Sequence, residues 1–142
     1  IIRDDFTGTV EKVNVPLLKL LLDNGYVPVL APPAISYEGD AINVDNDRAT
    51  AVLASSMGAD TIVMLFEAPG LLSDPDDPSS LIKKIGRDEL MGSMDLGEGR
   101  MKKKLLGSIE GIDAGVKRIV YGDGRIKEPI KSALAGNGTI IE

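Results

Sequence analysis

The sequence predicts an α/β sandwich with a mainly parallel central sheet. Strand-length apolar runs alternate with segments that have helical spacing of apolar residues. Several of these runs are unbroken and rich in Val and Ile, as in parallel strands that are buried on both faces. The length of 142 residues suits one compact domain or one large lobe of a bigger one.

The amino-terminal half carries six predicted elements, separated by turn residues. They are a half-buried strand over residues 8–14, a short helix over 16–25, a buried strand over 27–32, a hairpin over 36–43, a helix over 45–59 and a buried strand over 60–66. Pro16 suits the start of the first helix and Gly25 suits its end. Asp45 suits the start of the second helix, and Gly58 lies near its end.

The carboxy-terminal half continues the alternation after a loop rich in Pro, Asp and Ser. The predictions are a loop over 68–80, a short helix over 80–86, an irregular segment over 87–99, a longer helix over 100–115, a strand over 118–121, a helix over 126–136 that Pro129 breaks or starts, and a last strand over 138–142. The acidic stretch from Asp74 to Asp77 is interpreted as a solvated surface loop.

Composition excludes several kinds of chemistry. The chain has no Cys and no His, which excludes disulfides, cysteine and histidine metal sites, and serine–histidine–aspartate catalysis. The lack of Cys is compatible with a reducing, cytoplasmic setting. The net charge of −6 argues against general nucleic-acid binding, and no apolar run is long enough to span a membrane. Chemistry must therefore use Lys, Arg, Asp, Glu, hydroxyls and backbone amides.

Polar residues gather where predicted strands end and helices begin, which is where α/β folds bind ligands. Asp45 and Asp47 open one helix, either as simple caps or as carboxylates that face a cleft. A GEGRMKKK run opens another helix, as a solvated charge run or as an anion site. The strand end YGDGR is either a tight turn or a place of close approach to a ligand, and FEAPG presents a similar case.

The order of these motifs is more specific than any one of them. NVDND, LFEAPG, GRMKKK, YGDGR and GNGT follow each other along nearly the whole chain. This succession resembles the carboxy-terminal half of the amino acid kinase family, and particularly its acetylglutamate kinase branch. The resemblance implies the three-layer fold shared with carbamate kinase. Asp45 and Arg100 depart from the general motif, which has Asn and Gly at these positions.

Within that branch, RDDFTGTVEKVN, INVDNDRATA and GRMKKKLLG look most like the kinases that act on aminoadipate or glutamate attached to the carrier protein LysW. Those enzymes belong to lysine and arginine biosynthesis. An acidic carrier would explain a basic face made of Lys83, Lys84 and residues 100–104, through electrostatic steering.

The resemblance implies roles for individual residues. Asn43 would bind the amino-acyl substrate, Asp47 would organise catalytic lysines, and Lys104 would stabilise the transferring phosphoryl group. ATP would be the cofactor, with Mg²⁺ carried by the nucleotide and no metal ligand from this chain. Its binding residues would be Phe66, Glu67, Gly70, Leu72, Gly124 and Arg125. A carboxylate acceptor is already ionised at neutral pH, so this chemistry needs no general base.

The family's amino-terminal motifs are missing from the sequence, above all a Lys-x-Gly-Gly strand end that meets the phosphates. Residues 1–142 are therefore expected to form the carboxy-terminal, ATP-binding part of a longer enzyme and to be inactive alone. The start at Ile1 without Met fits either such a piece or a processed terminus. The family resemblance also implies a homodimer or a larger assembly.

Three alternatives stay open at this point. The first is N-acetylglutamate kinase, which would take a small free substrate. The second is a nucleotide-binding or assembly module that keeps the fold without the chemistry, although the presence of Asp47 and Lys104 speaks against it. The third is a structural α/β domain in which caps and turns explain every motif.

Overall fold

The computed structural model describes residues 6–96 and 99–142. The helices in these ranges are α1 (Val15–Asp23), α2 (Asn46–Met57), α3 (Arg87–Leu90), α4 (Gly99–Asp113) and α5 (Pro129–Leu134), with 3₁₀ turns at Pro78–Ser80 and Gly92–Leu96. The strands are β1 (Thr7–Gly8), β2 (Ala34–Ile35), β3 (Ala41–Val44), β4 (Thr61–Phe66), β5 (Lys84–Ile85), β6 (Arg118–Asp123) and β7 (Thr139–Ile141). None of these helices combines the length and apolar character needed to cross a bilayer.

The strands form two sheets. The larger sheet has the order β4-β6-β7-β5, in which β4 and β6 are parallel, β6 and β7 antiparallel, and β7 and β5 parallel. The smaller sheet has the order β1-β3-β2, with a parallel β1–β3 pair and an antiparallel β2–β3 hairpin. The prediction of a mainly parallel α/β architecture is confirmed, and β2 and β7 supply the antiparallel exceptions.

Helices cover both faces of the larger sheet. Ile62 of β4 and Ile119 of β6 lie in one buried apolar cluster with Leu105 of α4. The opposite face of β6 carries Gly122, where an added Cβ would lie 3.2 Å from the Cβ of Ala133 in α5. Because successive strand residues point to opposite faces, α4 and α5 pack on the two sides. The result is the three-layer sandwich that the sequence predicts.

Helix α2 begins and ends where its sequence predicts. The Asp45 carboxylate accepts hydrogen bonds from the backbone N–H groups of Asp47 at 3.1 Å and Arg48 at 3.2 Å. Gly58 ends the helix with a φ of 68°, in the left-handed region that glycine adopts without penalty. These local signals fix the start of α2, which carries Asp47.

Two predicted strands near the amino terminus are wrong. Residues 27–32 form no strand, and Val27 and Val29 are 83% and 91% exposed. Of the predicted strand at 8–14, only Gly8 is in a strand, in the short pair Thr7–Gly8. A strand needs a neighbour for its backbone hydrogen bonds, and the described residues place no neighbouring strand beside 27–32.

Residues 80–99 also differ from the prediction. The predicted helix at 80–86 is wrong: its residues Lys84 and Ile85 form strand β5, because tertiary pairing overrides the helical pattern. The Ile140 N–H donates to the Lys83 carbonyl at 2.9 Å, and the Glu142 N–H donates to the Ile85 carbonyl at 3.3 Å. The segment predicted as irregular contains α3 and a 3₁₀ turn.

Candidate functional site

Asp47 and Lys104 come from the starts of different helices and meet at one place. Asp47 is the second residue of α2, and Lys104 lies in the second turn of α4. The Lys104 Nζ lies 2.9 Å from the Asp47 Oδ1, and the two side chains are 22% and 21% exposed. The structure thus brings the two predicted catalytic residues into one ion pair that is partly exposed to solvent. Their catalytic role stays a prediction.

Lys104 contacts an aromatic ring, which packs against a second one. The Lys104 Nζ lies 5.6 Å from the centre of the Phe66 ring, within the range of a cation–π contact. The Phe66 ring packs edge-on against Tyr121 at 5.6 Å. Phe66 lies beside Lys104, and its predicted role in ATP binding stays a prediction.

A buried hydrogen bond holds Tyr121 in place. Its hydroxyl lies 2.7 Å from the Ser108 Oγ, and both residues are fully buried. Burial raises the pKa of Tyr121 well above its usual range, and the charge of Asp47 adds to the effect. The phenol is therefore neutral. Tyr121 packs against Phe66, which in turn contacts Lys104 of the ion pair.

A second ion pair joins α2 to α4 beside the first. The Arg48 Nε donates to both oxygens of Glu110 at 2.9 Å, and the Arg48 Nη2 lies 2.7 Å from Oε1. The hydrogen bonds and charge of Glu110 raise the pKa of Arg48. Two charged contacts thus join the helices that carry Asp47 and Lys104.

The parallel strands β4 and β6 end side by side, at Phe66 and Asp123. Phe66 and Asp123 are paired in register, and the Gly124 N–H donates to the Phe66 carbonyl at 2.9 Å. Arg125 donates from Nε and Nη2 to the two Asp123 oxygens at 2.9 and 2.7 Å. The Arg125 side-chain and backbone hydrogen bonds lower the pKa of Asp123 to about 2. Glu67 is close enough to raise the pKa of Arg125, so this edge combines exposed cationic and anionic groups.

Gly70 and Leu72, both predicted to bind ATP, make structural contacts within the loop that follows β4. An added Cβ at Gly70 would lie 2.5 Å from the Thr139 Oγ1. That hydroxyl accepts from the Leu71 N–H at 2.8 Å and donates to the Ile82 carbonyl at 2.6 Å. Leu72 forms an isolated bridge with Leu81. These contacts explain why the loop needs glycine, and the ATP-binding role predicted for both residues stays a prediction.

Asn43 lies in β3, between the buried residues Ile42 and Val44, with its own side chain exposed. Its backbone N–H donates to the Phe6 carbonyl at 2.7 Å. The strand leads directly into the Asp45 cap, so Asn43 stands two residues before the start of the site. Its predicted contact with substrate stays a prediction.

The predicted basic face is only partly available for a partner. Lys84 is paired with Glu142 at 2.9 Å, and Lys104 is paired with Asp47. Lys83, Lys102 and Lys103 are exposed. Residues 97–98 of the GEGRMKKK run and the side chain of Arg100 lie outside the described part of the structure.

Sequence reasoning missed several groups around the site. Tyr121 and Ser108 read as ordinary strand and helix residues, and no local signal distinguishes them. The Arg48–Glu110 pair has no local signal, because Glu110 follows Lys104 by six residues, which is about 120° around the helix. Asp123 stands inside the GDGR motif, but its link to Arg125 requires the folded turn.

The chain is similar in sequence to known proteins over most of its length. The model of the amino acid kinase family matches residues 1–121. The chain is 48% identical over 141 residues to "[LysW]-aminoadipate kinase" of Thermus thermophilus, covering 98% of this chain and 52% of that protein. It is 51% identical over 141 residues to the protein of the same name from Deinococcus radiodurans, covering 99% and 48%. The chain thus spans about half the length of these curated relatives.

A solved structure shares the fold. Carbamate kinase from Giardia lamblia, bound to AMP-PNP, superposes with a TM-score of 0.68 at 25% identity. The match covers 93% of this chain and 45% of that one. The predicted carbamate kinase-like fold is confirmed.

Proposed function

The chain belongs to the amino acid kinase family, and we propose that it is the ATP-binding part of an enzyme that phosphorylates a side-chain carboxylate. The observation that carries the proposal is the Lys104–Asp47 ion pair, a cation held at helix starts beside the ends of β4 and β6. Parallel α/β sheets bind ligands at this edge. The product would be an acyl phosphate, and the pathway would be cytoplasmic amino-acid biosynthesis.

Lys104 would act on the phosphoryl group during transfer. Its ammonium group has three N–H donors, and Asp47 accepts one of them. The group can therefore donate to a phosphate oxygen while the ion pair keeps it in place. Phosphoryl transfer depends on positioning and on neutralising the equatorial oxygens, which Lys104 and a nucleotide-borne Mg²⁺ would supply.

Phe66, Glu67, Gly124 and Arg125 would flank the nucleotide. Phe66 and Gly124 are joined by a backbone hydrogen bond, and Glu67 and Arg125 interact through their charges. The four residues thus belong to one edge, next to Lys104. Gly70 and Leu72 follow on the loop after β4 and would complete the adenine and ribose pocket.

The proposed acceptor is aminoadipate or glutamate whose amino group is blocked by the carrier protein LysW. The support is the 48% and 51% identity to two proteins that carry "[LysW]-aminoadipate kinase" as their name. Asn43 would bind the amino-acyl group at the end of β3. The exposed Lys102 and Lys103 would face an acidic carrier.

The substrate proposal is tested with the full-length protein that contains this chain. ATP consumption is measured with carrier-linked aminoadipate, carrier-linked glutamate and free N-acetylglutamate. We expect turnover with a carrier-linked substrate and at least tenfold lower kcat/KM with N-acetylglutamate. Turnover of N-acetylglutamate alone would instead identify an acetylglutamate kinase, and turnover of none would support a non-catalytic nucleotide-binding module.

Carrier steering has its own test. Charge reversal by Lys103→Glu should slow association with the carrier and flatten its dependence on salt concentration, because rim charges act mainly on the association rate. Lys127→Glu is a matched control, since Lys127 is also exposed but follows β6 and is not part of the proposed basic face. An unchanged salt dependence in Lys103→Glu would remove the steering role.

We also propose that these residues are the carboxy-terminal part of a longer kinase domain that works as a homodimer or larger assembly. Two facts support the first point. The chain spans about half of its curated relatives, and apolar side chains at Val27, Val29 and Leu30 are 83%, 91% and 60% exposed. An amino-terminal half would cover these side chains and supply the missing phosphate-binding lysine, so the chain alone would be inactive.

A further inference from the structure

Helices α2 and α4 are in close contact at a glycine. An ideal Cβ built at Gly107 would lie 2.9 Å from the carbonyl carbon of Asp47, 3.0 Å from its oxygen and 3.1 Å from its Cβ. Two of these three atoms belong to the backbone, so no side-chain rotation can relieve the contact. A methyl group at position 107 would push Asp47 away from α4.

The next glycine on the same face shows that this constraint is local. Gly111 lies one turn further along α4, and its ideal Cβ would lie 3.4 to 3.6 Å from Ile119, Ile62 and Ala51. These are ordinary van der Waals distances to side-chain atoms. Alanine would fit at 111 and not at 107, so the tight crossing belongs to the segment that carries Asp47.

Gly107 also lies between the two ion pairs that join these helices. Lys104, Gly107 and Glu110 are spaced by three residues along α4, so Gly107 is a surface neighbour of both charged residues. Lys104 pairs with Asp47 on one side of the glycine, and Glu110 pairs with Arg48 on the other. The 2.9 Å contact between Asp47 and Lys104 is therefore made at the separation that glycine permits.

We propose that Gly107 is a positioning residue, which sets the separation of α2 and α4 so that Asp47 holds Lys104 in its working position. It touches no substrate and acts only through Asp47. The kinetic consequence rests on the proposed kinase function, whereas the effect on the ion pair does not.

The kinetic test compares Gly107→Ala with Gly111→Ala in the full-length protein. We expect Gly107→Ala to lower kcat by about tenfold or more, since a misplacement of about 1 Å can slow a reaction by about 10²-fold. The KM for ATP should change by less than about twofold, because Lys104 is proposed to act on the transition state. Gly111→Ala should keep at least half of the activity. Equal losses in the two variants would overturn the proposal.

Repeating the substitution in a protein that already lacks the Asp47 carboxylate shows whether Gly107 acts through Asp47. In an Asp47→Asn protein, adding Gly107→Ala should lower kcat by less than about twofold further, because the residue it positions is already disabled. The same tenfold loss in both backgrounds would mean that Gly107 supports the fold generally, and the proposal would be wrong.

A thermal unfolding cycle tests the geometry without activity. The coupling between Asp47→Asn and Lys104→Met is measured from Tm in the wild-type and in the Gly107→Ala background. We expect a measurable coupling in the wild type and none with Gly107→Ala. Coupling that persists, or a Gly107→Ala protein that no longer unfolds cooperatively, would overturn the proposal. Lost coupling in a protein without kinase activity would reject the proposed function alone.

Discussion

Lys104 shows what residue type and position can reveal. The sequence places three consecutive lysines at a helix start, and spacing alone does not say which of them faces the site. The structure turns Lys104 onto Asp47 and Phe66 and leaves Lys102 and Lys103 exposed. The family motif singles out the same lysine. Phe66 and Tyr121 could not be placed from sequence, because their contacts join residues far apart in the chain.

Asp123 gives a pH prediction at the residue scale. Hydrogen bonds from Arg125 lower its pKa from 3.8 to about 2 in the folded protein. A lowered carboxylate pKa stabilises the fold above the unfolded value, and this contribution is lost as pH falls from about 4 through about 2. We expect the Asp123 carboxyl to titrate near pH 2 by NMR. Arg125→Met should move its pKa upward towards 4.

The control for this titration is Lys127→Met, which removes a nearby exposed charge without touching the Asp123 hydrogen bonds. It should leave the midpoint unchanged. An Asp123 midpoint near 4 in the wild-type protein would show that the Arg125 fork is not formed in solution.

At the element scale, elements bounded by local signals are predicted well, whereas strands that depend on pairing with distant residues are not. Asp45 and Gly58 bound α2 through contacts within one turn, so the sequence is enough to locate that helix. Strand β5 carries a helical pattern, and only its pairing with β7 makes it a strand. Residues 27–32 have the composition of a buried strand but lack a partner in the described structure.

Gly58 provides a stability prediction for α2. Its φ of 68° is unfavourable for an L-residue, and nothing lies within 4 Å of an added Cβ. Gly58→Ala should therefore lower the free energy of unfolding by about 1–2 kcal/mol through backbone strain alone. Gly92→Ala is the matched control, since Gly92 has equal space and no positive φ. Its stability in urea unfolding should be unchanged or slightly higher. Equal behaviour of the two variants would contradict the left-handed cap.

At the scale of the whole molecule, the order of elements is enough to predict an α/β sandwich, whereas the close approaches are not. Gly70 against Thr139 and Gly107 against Asp47 depend on how loops and helices from distant segments meet. Such contacts have no periodicity in the sequence. The sequence thus suggests a set of candidate site residues, whereas the close contacts around them appear only in the folded structure.

The exposed apolar segment makes a prediction for the whole molecule. Val27, Val29 and Leu30 present a patch that a folded domain ordinarily covers. The chain expressed alone should enhance the fluorescence of a hydrophobic dye strongly, and the full-length protein should do so weakly. Val27→Ser with Val29→Ser should lower the signal of the chain alone. Equal dye fluorescence of the two lengths would contradict the proposed covering half.

The role of Lys104 in phosphoryl transfer is tested most directly by single-turnover kinetics of Lys104→Met in the full-length protein, with ATP and the acceptor both saturating so that carrier association does not limit the rate. Lys103→Met is the matched control, one residue away and exposed. We predict that Lys104→Met slows the chemical step by about 10²–10³-fold. Lys103→Met should stay within about twofold of wild type. A chemical step of unchanged rate in Lys104→Met would contradict the assignment of this lysine to the reacting phosphate.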